Sequence, residues 1–496
     1  MNLRLKRERI EYLSCSLNRT AEDAFTTDAV VPDALPDASE VIFTNGDFCL
    51  WRLDLSDGTA EAEGEWKGSV CYRAEETGKL CSFPVSVGVR MRMHDDKIAS
   101  ELKPFANFQV TELTGQLMNS RKVRIRVRVK MSLRAYGSKE MEYSTGSDEE
   151  AEDLFLKTER ASCSVITSVE EQVFTAADQF SLRSVPQDGI LSASSEVISE
   201  PPLRSGARAV LRGRVLTHLL YLSQDTSSPA FETVETSFSQ ILDIRDAPGS
   251  ETLVSGLQLT SSSVQITDDG SLETEFHIVA QTICVHDLQI TALTDAYSVT
   301  DALEMERESL PMEQWIALDD LQGEAEARIS VSSEPFTVIA SSFQPRSFQK
   351  TEHGYSGSVA VSVMIRTMDE QIREYRAEAP WVMEATADHD VFDLKIDPPS
   401  FLQTGDQLCV QISVIAHAVV VERKLASCVQ SIIRNGADST LEKLPSLTLV
   451  HVDPDEELWD VAKRYGSSID AIQAANPHLQ EGEVLRFCLI PRIVVR

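Results

Sequence analysis

Three stretches of the chain share one pattern of apolar and polar positions. They are residues 64–72, 213–221 and 357–365, and each opens with a glycine and ends eight positions later in Tyr or Ile. A polar turn follows each stretch, and a second apolar stretch comes next, near Phe83, Phe231 and Tyr375. Alternation with a period of two residues, bounded by turns, predicts β-hairpins.

A long alternating segment follows each hairpin. These segments begin at Val123, Leu272 and Leu408, which lie 59, 59 and 51 residues after the three opening glycines. Similar offsets in divergent sequence indicate duplicated modules. Strands with one apolar and one polar face suit antiparallel sheets packed face to face. The predicted fold is therefore mainly β, with three repeated sandwich-like β modules.

Acidic stretches separate the apolar segments and predict the domain boundaries. Residues 137–172 and 301–327 are rich in Asp and Glu, which is typical of solvated linkers. The predicted order is a first module with its N-terminal segment (1–136), a linker (137–172), a second module (173–300), a linker (301–327), a third, divergent module (328–434) and a last domain (447–496).

The last domain has a different period. Four apolar residues recur at the spacing of one helix face, and a second helix can start at Ser467 or Ser468 and end before Pro477. The four residues of the first helix are Leu458, Val461, Ala462 and Tyr465. Short apolar stretches on both sides predict strands. We expect a small α+β domain in the order βααβ.

The order of motifs in this domain resembles a LysM domain. They run from Val452 through Trp459 and Tyr465 to Asn476, Gly482 and Ile490-Pro491. The resemblance implies a βααβ module that binds polymers of N-acetylglucosamine, such as peptidoglycan or chitin. Its groove would lie between the loop before the first helix and the loop after the second. The candidate groove residues, for a protein partner or a glycan, are Asp455, Glu456, Glu457, Leu458, Trp459, Asn476, Pro477, His478 and Leu479.

The sequence departs from the family pattern at the start of the first helix. LysM domains usually have Gly-Asp-Thr there, whereas this chain has Asp455-Glu456-Glu457. Three carboxylates would repel the carboxylates of peptidoglycan stem peptides, which favours a protein partner. Alternatively, they only complement the dipole of the helix. Both interpretations stay open.

The repeated modules have a family resemblance too. Residues 32–37 and 118–123 look like the SPoCS module, formerly a domain of unknown function, whereas the second module resembles it less and the third lacks the Asn-Ser-Arg-Lys signature. In spore-forming bacteria, SPoCS proteins with a C-terminal LysM domain help to build the spore envelope. The resemblance implies a non-enzymatic coat-assembly factor in the mother-cell cytoplasm, at the forespore surface. Its LysM domain would dock on the coat-basement ATPase, stage IV sporulation protein A, and its β modules would add valency and reach. The alternative is a peptidoglycan-binding protein that anchors at the cell wall or cortex.

Charge and cysteine usage agree with a cytosolic protein. Asp and Glu outnumber Lys and Arg by 78 to 46, giving a net charge of −32, which argues against nucleic acid or an anionic membrane as a partner. Nine cysteines occur without a CxxC pair, which is typical of a reducing compartment. No apolar run approaches the ~18 residues of a membrane span, and no apolar core of a signal peptide follows the basic N-terminus.

A row of cations stands out in this acidic chain. Arg124, Arg126, Arg128 and Lys130 alternate with apolar residues of the first long strand. Arg90 and Arg92 alternate in the same way within residues 85–93, so that pairing of the two strands would create one cationic face. This row is either a docking stripe for an acidic segment or a solvated face with long side-chain stems.

The search for catalytic chemistry gives no motif. GxSxG, HExxH and P-loop patterns are absent from the sequence, and His277, Cys284 and His286 are too few for a structural zinc site. We therefore expect no enzyme, metal or cofactor. Three tryptophans lie in strand or helix patterns and are interpreted as core residues, with Trp459 also a candidate partner contact: Trp66, Trp381 and Trp459.

Overall fold

The mainly β prediction is confirmed. The computed structural model describes residues 2–149, 151–205, 208–226, 228–243, 251–331, 334–368, 371–385, 388–452, 456–477 and 488–493, and most of them lie in strands. Three segments repeat one arrangement: a long first strand, a small antiparallel sheet, a further strand and a long last strand that pairs antiparallel with the first. No described helix is long and apolar enough to cross a membrane.

We call these segments modules A, B and C. Module A comprises β1 (Leu5–Val30), β2 (Ala38–Ser56), β3 (Thr59–Ala74), β4 (Leu80–His94), β5 (Lys103–Asn119) and β6 (Lys122–Ser147). Module B comprises β7 (Leu154–Phe180), β8 (Pro186–Ser199), β9 (Leu203–Ser205), β10 (Arg208–Ser223), β11 (Pro229–Asp243), β12 (Glu251–Ile266) and β13 (Leu272–Ser298). Module C comprises β14 (Asp301–Ser330), β15 (Phe336–Thr351), β16 (Gly354–Thr367), β17 (Ile372–Glu384), β18 (His389–Ile396), β19 (Ser400–Thr404) and β20 (Gln407–Ala437).

The glycines that open the repeated stretches have the same role in each module. Gly64, Gly213 and Gly357 lie on the middle strand of the small sheet, where a Cβ atom would come within 2.4 Å, 2.3 Å and 2.1 Å of a carbonyl oxygen of a neighbouring strand. No side chain fits such an approach. The shared constraint explains why glycine recurs at this position, and it supports the predicted duplication.

In modules A and B the small sheet packs as a separate layer against the long strands, whereas in module C β17 also pairs with β14, so that one continuous sheet surrounds the core. In module A the apolar residues of β4 and β6 belong to one buried core, so the two strands face each other across the core. They do not pair, since β4 pairs with β3, and β6 pairs with β1 and β5. The expected joint face of Arg90, Arg92 and the β6 cations is therefore wrong: the two rows lie on opposite outer surfaces.

The three modules pack against one another around equivalent positions. Cys71, Leu220 and Met364 each lie seven residues after the opening glycine, and all three are buried in one core at the junction of the small sheets.

Beyond the sandwiches, the ends of the long strand pairs continue as a bundle that we call the stem (residues 5–16 with 136–147, 154–166 with 286–298, and 301–316 with 421–437). Its cores contain residues of all three modules.

The two segments expected as acidic linkers, 137–172 and 301–327, form strands instead. Residues 137–147 complete β6 and residues 154–172 begin β7, while residues 301–327 lie in β14. Between Leu321 and Ser330 every second side chain is buried, but the buried positions include Gly323, Ala325 and Ala327. Such small residues give a weak hydrophobic signal, so the exposed acids dominated the sequence pattern. The strand β14 was therefore missed.

Candidate functional site

The C-terminal domain begins at the predicted position and has the predicted helices. A one-turn helix, α1 (Ser439–Glu442), leads to β21 (Leu447–Val450), α2 (Leu458–Tyr465), α3 (Ile469–Ala475) and β22 (Cys488–Pro491). Gly466 ends α2 in the left-handed conformation with φ of 60°. The Ser468 hydroxyl accepts a hydrogen bond from the backbone N–H of Ala471 at 3.1 Å and caps α3. β21 and β22 pair antiparallel, which completes the βααβ order.

Asn476 holds the second helix to the second strand. Its Nδ2 donates to the carbonyl oxygens of Ile472 and Leu489, both at 2.7 Å, and its Oδ1 accepts from the Leu489 N–H at 2.9 Å. The side chain is 1% exposed. In this arrangement all three of its hydrogen bonds stabilise the domain, and Asn476 offers no free amide to a ligand.

The candidate groove residues fall into several environments. Glu456 pairs with Arg464 on α2, and Glu457 pairs with Lys157 of the stem at 2.6 Å. Leu458 is half-buried against the domain core, and Pro477 is exposed. Asp455, His478 and Leu479 lie outside the described residues. The described rim therefore consists of two ion-paired carboxylates, a partly covered leucine and one exposed proline.

Trp459 is buried between the C-terminal domain and the stem. Its side chain is 8% exposed, and its Nε1 donates to Asp295 Oδ2 of β13 at 2.8 Å. Its ring meets the ring of Tyr297 edge to face, with centroids 4.8 Å apart. The indole is thus engaged inside the chain. The core prediction is also confirmed for Trp66 and Trp381, which are 0% and 2% exposed.

The Asp295 carboxylate contacts cationic side chains and a hydrogen-bond donor from α2 and β14. Lys463, one turn after Trp459 on α2, lies 2.7 Å from Oδ2, and Arg307 of β14 lies 2.7 Å from Oδ1. Burial by itself would raise the pKa of Asp295, but the hydrogen bonds from Lys463 and Trp459 outweigh it, so its pKa is lowered. The carboxylate stays ionised and bridges α2 to the stem.

Two aromatic residues complete this interface. Tyr297 stacks on Phe155 at a centroid distance of 5.1 Å, and its hydroxyl donates to the carbonyl oxygen of Ser467 at 2.8 Å. Tyr297 and Val299 of module B belong to the same buried core as Val461 and Ile472 of the C-terminal domain. The stem thus carries the domain on its tip through both apolar and ionic contacts.

Two of the four cations of the candidate docking stripe on β6 form ion pairs within module A. Arg124 forms two hydrogen bonds with Asp28, at 2.7 and 3.1 Å, and lowers the pKa of that carboxyl. Arg128 pairs with Glu112 at 3.0 Å, and burial lowers the pKa of Lys130. Arg126 is exposed, with no ion pair to any described side chain. Arg124 and Arg128 are thus paired within the module, whereas Arg126 and Lys130 have no ion pair to a described side chain.

A cleft of about 490 Å³ opens where the three modules meet, and sequence reasoning did not find it. Glu196 of β8 faces Asp393 and Lys395 of β18 there, and Asn107 of β5 donates to Asp393 at 2.5 Å. Burial raises the pKa of Glu196 to about 7, Lys395 opposes the rise, and Asp393 adds to it. Among the described residues, no group of three or more His, Cys, Asp or Glu side chains could hold a metal ion.

Residues of the stem tip were also missed. Lys157, Asp295 and Tyr297 are far from the C-terminal domain in sequence, and Asp295 lies 164 residues before Trp459. Only their position at the ends of the long strands β7 and β13 could have placed them near the domain.

The comparison with protein families identifies the C-terminal domain. The model described as LysM domain matches residues 450–486, and no SPoCS model matches the chain. Neither the comparison with curated proteins nor that with solved structures gives a match. The chain therefore carries a LysM domain, a class of module that binds N-acetylglucosamine polymers or proteins.

Proposed function

We propose that this protein is a non-enzymatic assembly factor of the spore envelope that binds a protein partner through its LysM domain. The partner would be a coat-basement ATPase like stage IV sporulation protein A, in the mother-cell cytoplasm at the forespore surface. The proposal rests on the LysM domain together with the SPoCS-like sequence of residues 32–37 and 118–123.

One observation carries the choice of a protein over a glycan. Sugars bind to proteins by stacking on exposed aromatic rings as well as by hydrogen bonds, and Trp459 is the aromatic residue at the described part of the rim. Its ring is buried against Tyr297, and its N–H is donated to Asp295. The described rim presents Pro477 and the carboxylates of Glu456 and Glu457, whose charge Arg464 and Lys157 partly neutralise. Such a surface suits a basic or polar protein better than a peptidoglycan strand that carries carboxylates itself.

A second candidate is a peptidoglycan-binding anchor at the cell wall or cortex. The family match itself favours it, because LysM domains bind N-acetylglucosamine polymers. In this case the groove would be formed mainly by the two loops that flank the helices.

A binding experiment with the full chain separates the two. We expect retention on the immobilised ATPase and none on purified peptidoglycan or chitooligosaccharide. The double variant Glu456→Lys/Glu457→Lys should weaken ATPase binding, because it reverses the charge of the rim. The control Glu75→Lys/Glu76→Lys makes the same charge change in an exposed turn of module A. Sugar binding without ATPase binding would overturn the proposal in favour of the anchor.

A further inference from the structure

The outer face of α2 is covered by the tip of the stem. The helix buries Val461 and Ala462 inside the LysM domain, whereas Trp459 and Lys463, four residues apart, point to the stem. Residues four apart lie on one face of a helix. Asp295 receives both side chains, at 2.8 Å from the indole Nε1 and 2.7 Å from the ammonium. The Asp295 carboxylate thus binds two side chains on the same face of α2 and joins that face to the stem.

The LysM domain shares only part of its core with the rest of the chain. Its core is built mainly from its own residues, with Phe155 and Tyr297 of the stem and Val299, the residue after β13, at one side. One chain connection, residues 438–446, joins it to β20. Ion pairs at such an interface contribute specificity more than stability, because burying the charges carries a desolvation cost. The contact is therefore suited to opening.

We propose that the stem tip is an intramolecular docking site that covers the outer face of α2, and that Asp295 is the residue that keeps the LysM domain docked. The contact also restrains the groove rim, because Lys157 of the stem binds the Glu457 carboxylate and this hydrogen bond raises the pKa of Lys157. A partner that presents a carboxylate beside an aromatic ring, as Asp295 does beside Tyr297, fits the same helix face. The inference does not depend on whether the groove binds a protein or a glycan.

The test uses the full chain and needs no partner. Asp295→Asn removes the charge that holds Lys463, and Asp287→Asn is the control, since Asp287 is exposed on the same strand and contacts Ser164. Hydrogen exchange of the α2 amides should accelerate about tenfold in Asp295→Asn, which corresponds to ~1.4 kcal/mol, and stay unchanged in the control. Acrylamide quenching of Trp459, obtained by comparing each protein with its Trp459→Phe counterpart, should rise in parallel.

A second variant distinguishes loss of the docking contact from a local folding defect that Asp295→Asn could cause in the stem. Lys463→Met keeps the bulk of the side chain on the LysM side and leaves the stem intact, so it should accelerate α2 exchange as well. Combined with Asp295→Asn, it should open the interface little further than either change alone, because both remove the same ion pair. Unchanged exchange and quenching in both single variants, with circular dichroism like that of the wild type, would overturn the proposal. Additive effects of the two changes would also overturn the role given to Asp295.

Discussion

Replacing Arg434 by Met should destabilise the end of the stem where β20 lies beside the starts of β7 and β14. Arg434 of β20 contacts Asp153, just before β7, at 2.7 Å, and Asp301, the first residue of β14, at 3.0 Å. The exposed fractions of the Arg434 and Asp153 side chains are 17% and 12%. The Asp153 carboxylate also accepts hydrogen bonds from Ser298 and Thr300, at 2.7 and 2.8 Å. Removing the cation leaves two neighbouring carboxylates without it.

The burial of this ion pair sets the expected loss in the free energy of unfolding. Removing one partner of a buried ion pair costs roughly 3–5 kcal/mol, and the residual exposure of both side chains places this pair at about 3 kcal/mol. At about 2.1 cal/mol/K per residue, that loss lowers Tm by about 3 °C if all residues unfold together. If one module of about 145 residues unfolds alone, the same arithmetic gives about 10 °C. The size of the shift therefore also reports whether the modules unfold as one unit.

Calorimetry and urea denaturation at neutral pH measure this loss. Arg126→Met is the matched control, since Arg126 is exposed on β6, and it should change the free energy of unfolding by less than about 0.5 kcal/mol.

Burial would raise the pKa of Asp153, but hydrogen bonds from Ser298, Thr300 and Arg434 lower it overall. A lowered folded pKa contributes stability above the unfolded value, and that stability is lost as the pH falls through the folded pKa. The difference in the free energy of unfolding between Arg434→Met and the wild type should therefore become smaller at acid pH. Equal stability of Arg434→Met and Arg126→Met at neutral pH would refute the reasoning.

Three further predictions concern other parts of the chain. Gly357→Ala should cost at least about 1–3 kcal/mol in urea denaturation, because its Cβ would come within 2.1 Å of the Ser347 carbonyl oxygen, whereas Gly88→Ala, with open space around it, should be nearly neutral. Because burial raises the folded pKa of Glu196 to about 7, its ionisation destabilises the fold as the pH rises from about 4.5 through 7. Glu196→Gln should match the wild type near pH 4.5 and be more stable at pH 8, by at most about 3 kcal/mol; a pH-independent difference would contradict this. Ser468→Ala removes the cap of α3 and should destabilise the LysM domain by about 1 kcal/mol, seen as faster amide exchange in α3.

The sequence allowed prediction where apolar side chains are large and regularly spaced. β6, β13 and β20 show period-two alternation of Val, Ile and Leu, and their starts were predicted to within one residue. The helices of the LysM domain were predicted from four apolar residues and a serine cap. β1 could not be recognised, because Leu17 is its one fully buried residue and the remaining side chains are exposed or half-buried. Its strand conformation comes from pairing with β6, which a local pattern does not contain.

The sequence predicted only those features of the candidate site that depend on the LysM domain itself. Spacing places Trp459 at the start of α2, yet its burial is caused by Asp295 and Tyr297, which belong to a strand of another module. In the same way, Glu457 was expected to repel anionic ligands, but Lys157 of the stem neutralises part of that charge. Contacts between distant parts of the chain decide which rim residues remain available, and a sequence motif carries no information about them.

The packing of the modules changes what the repeats can contribute to assembly. Separate repeats on flexible linkers would each offer a copy of the same surface and raise avidity. Here the segments between them are strands, and the equivalent residues Cys71, Leu220 and Met364 are buried together at the junction. The faces that the modules share are thus used to bind one another. The repeats supply a stem with the LysM domain at its tip, so under the proposed function multivalency would come from several chains on one partner surface.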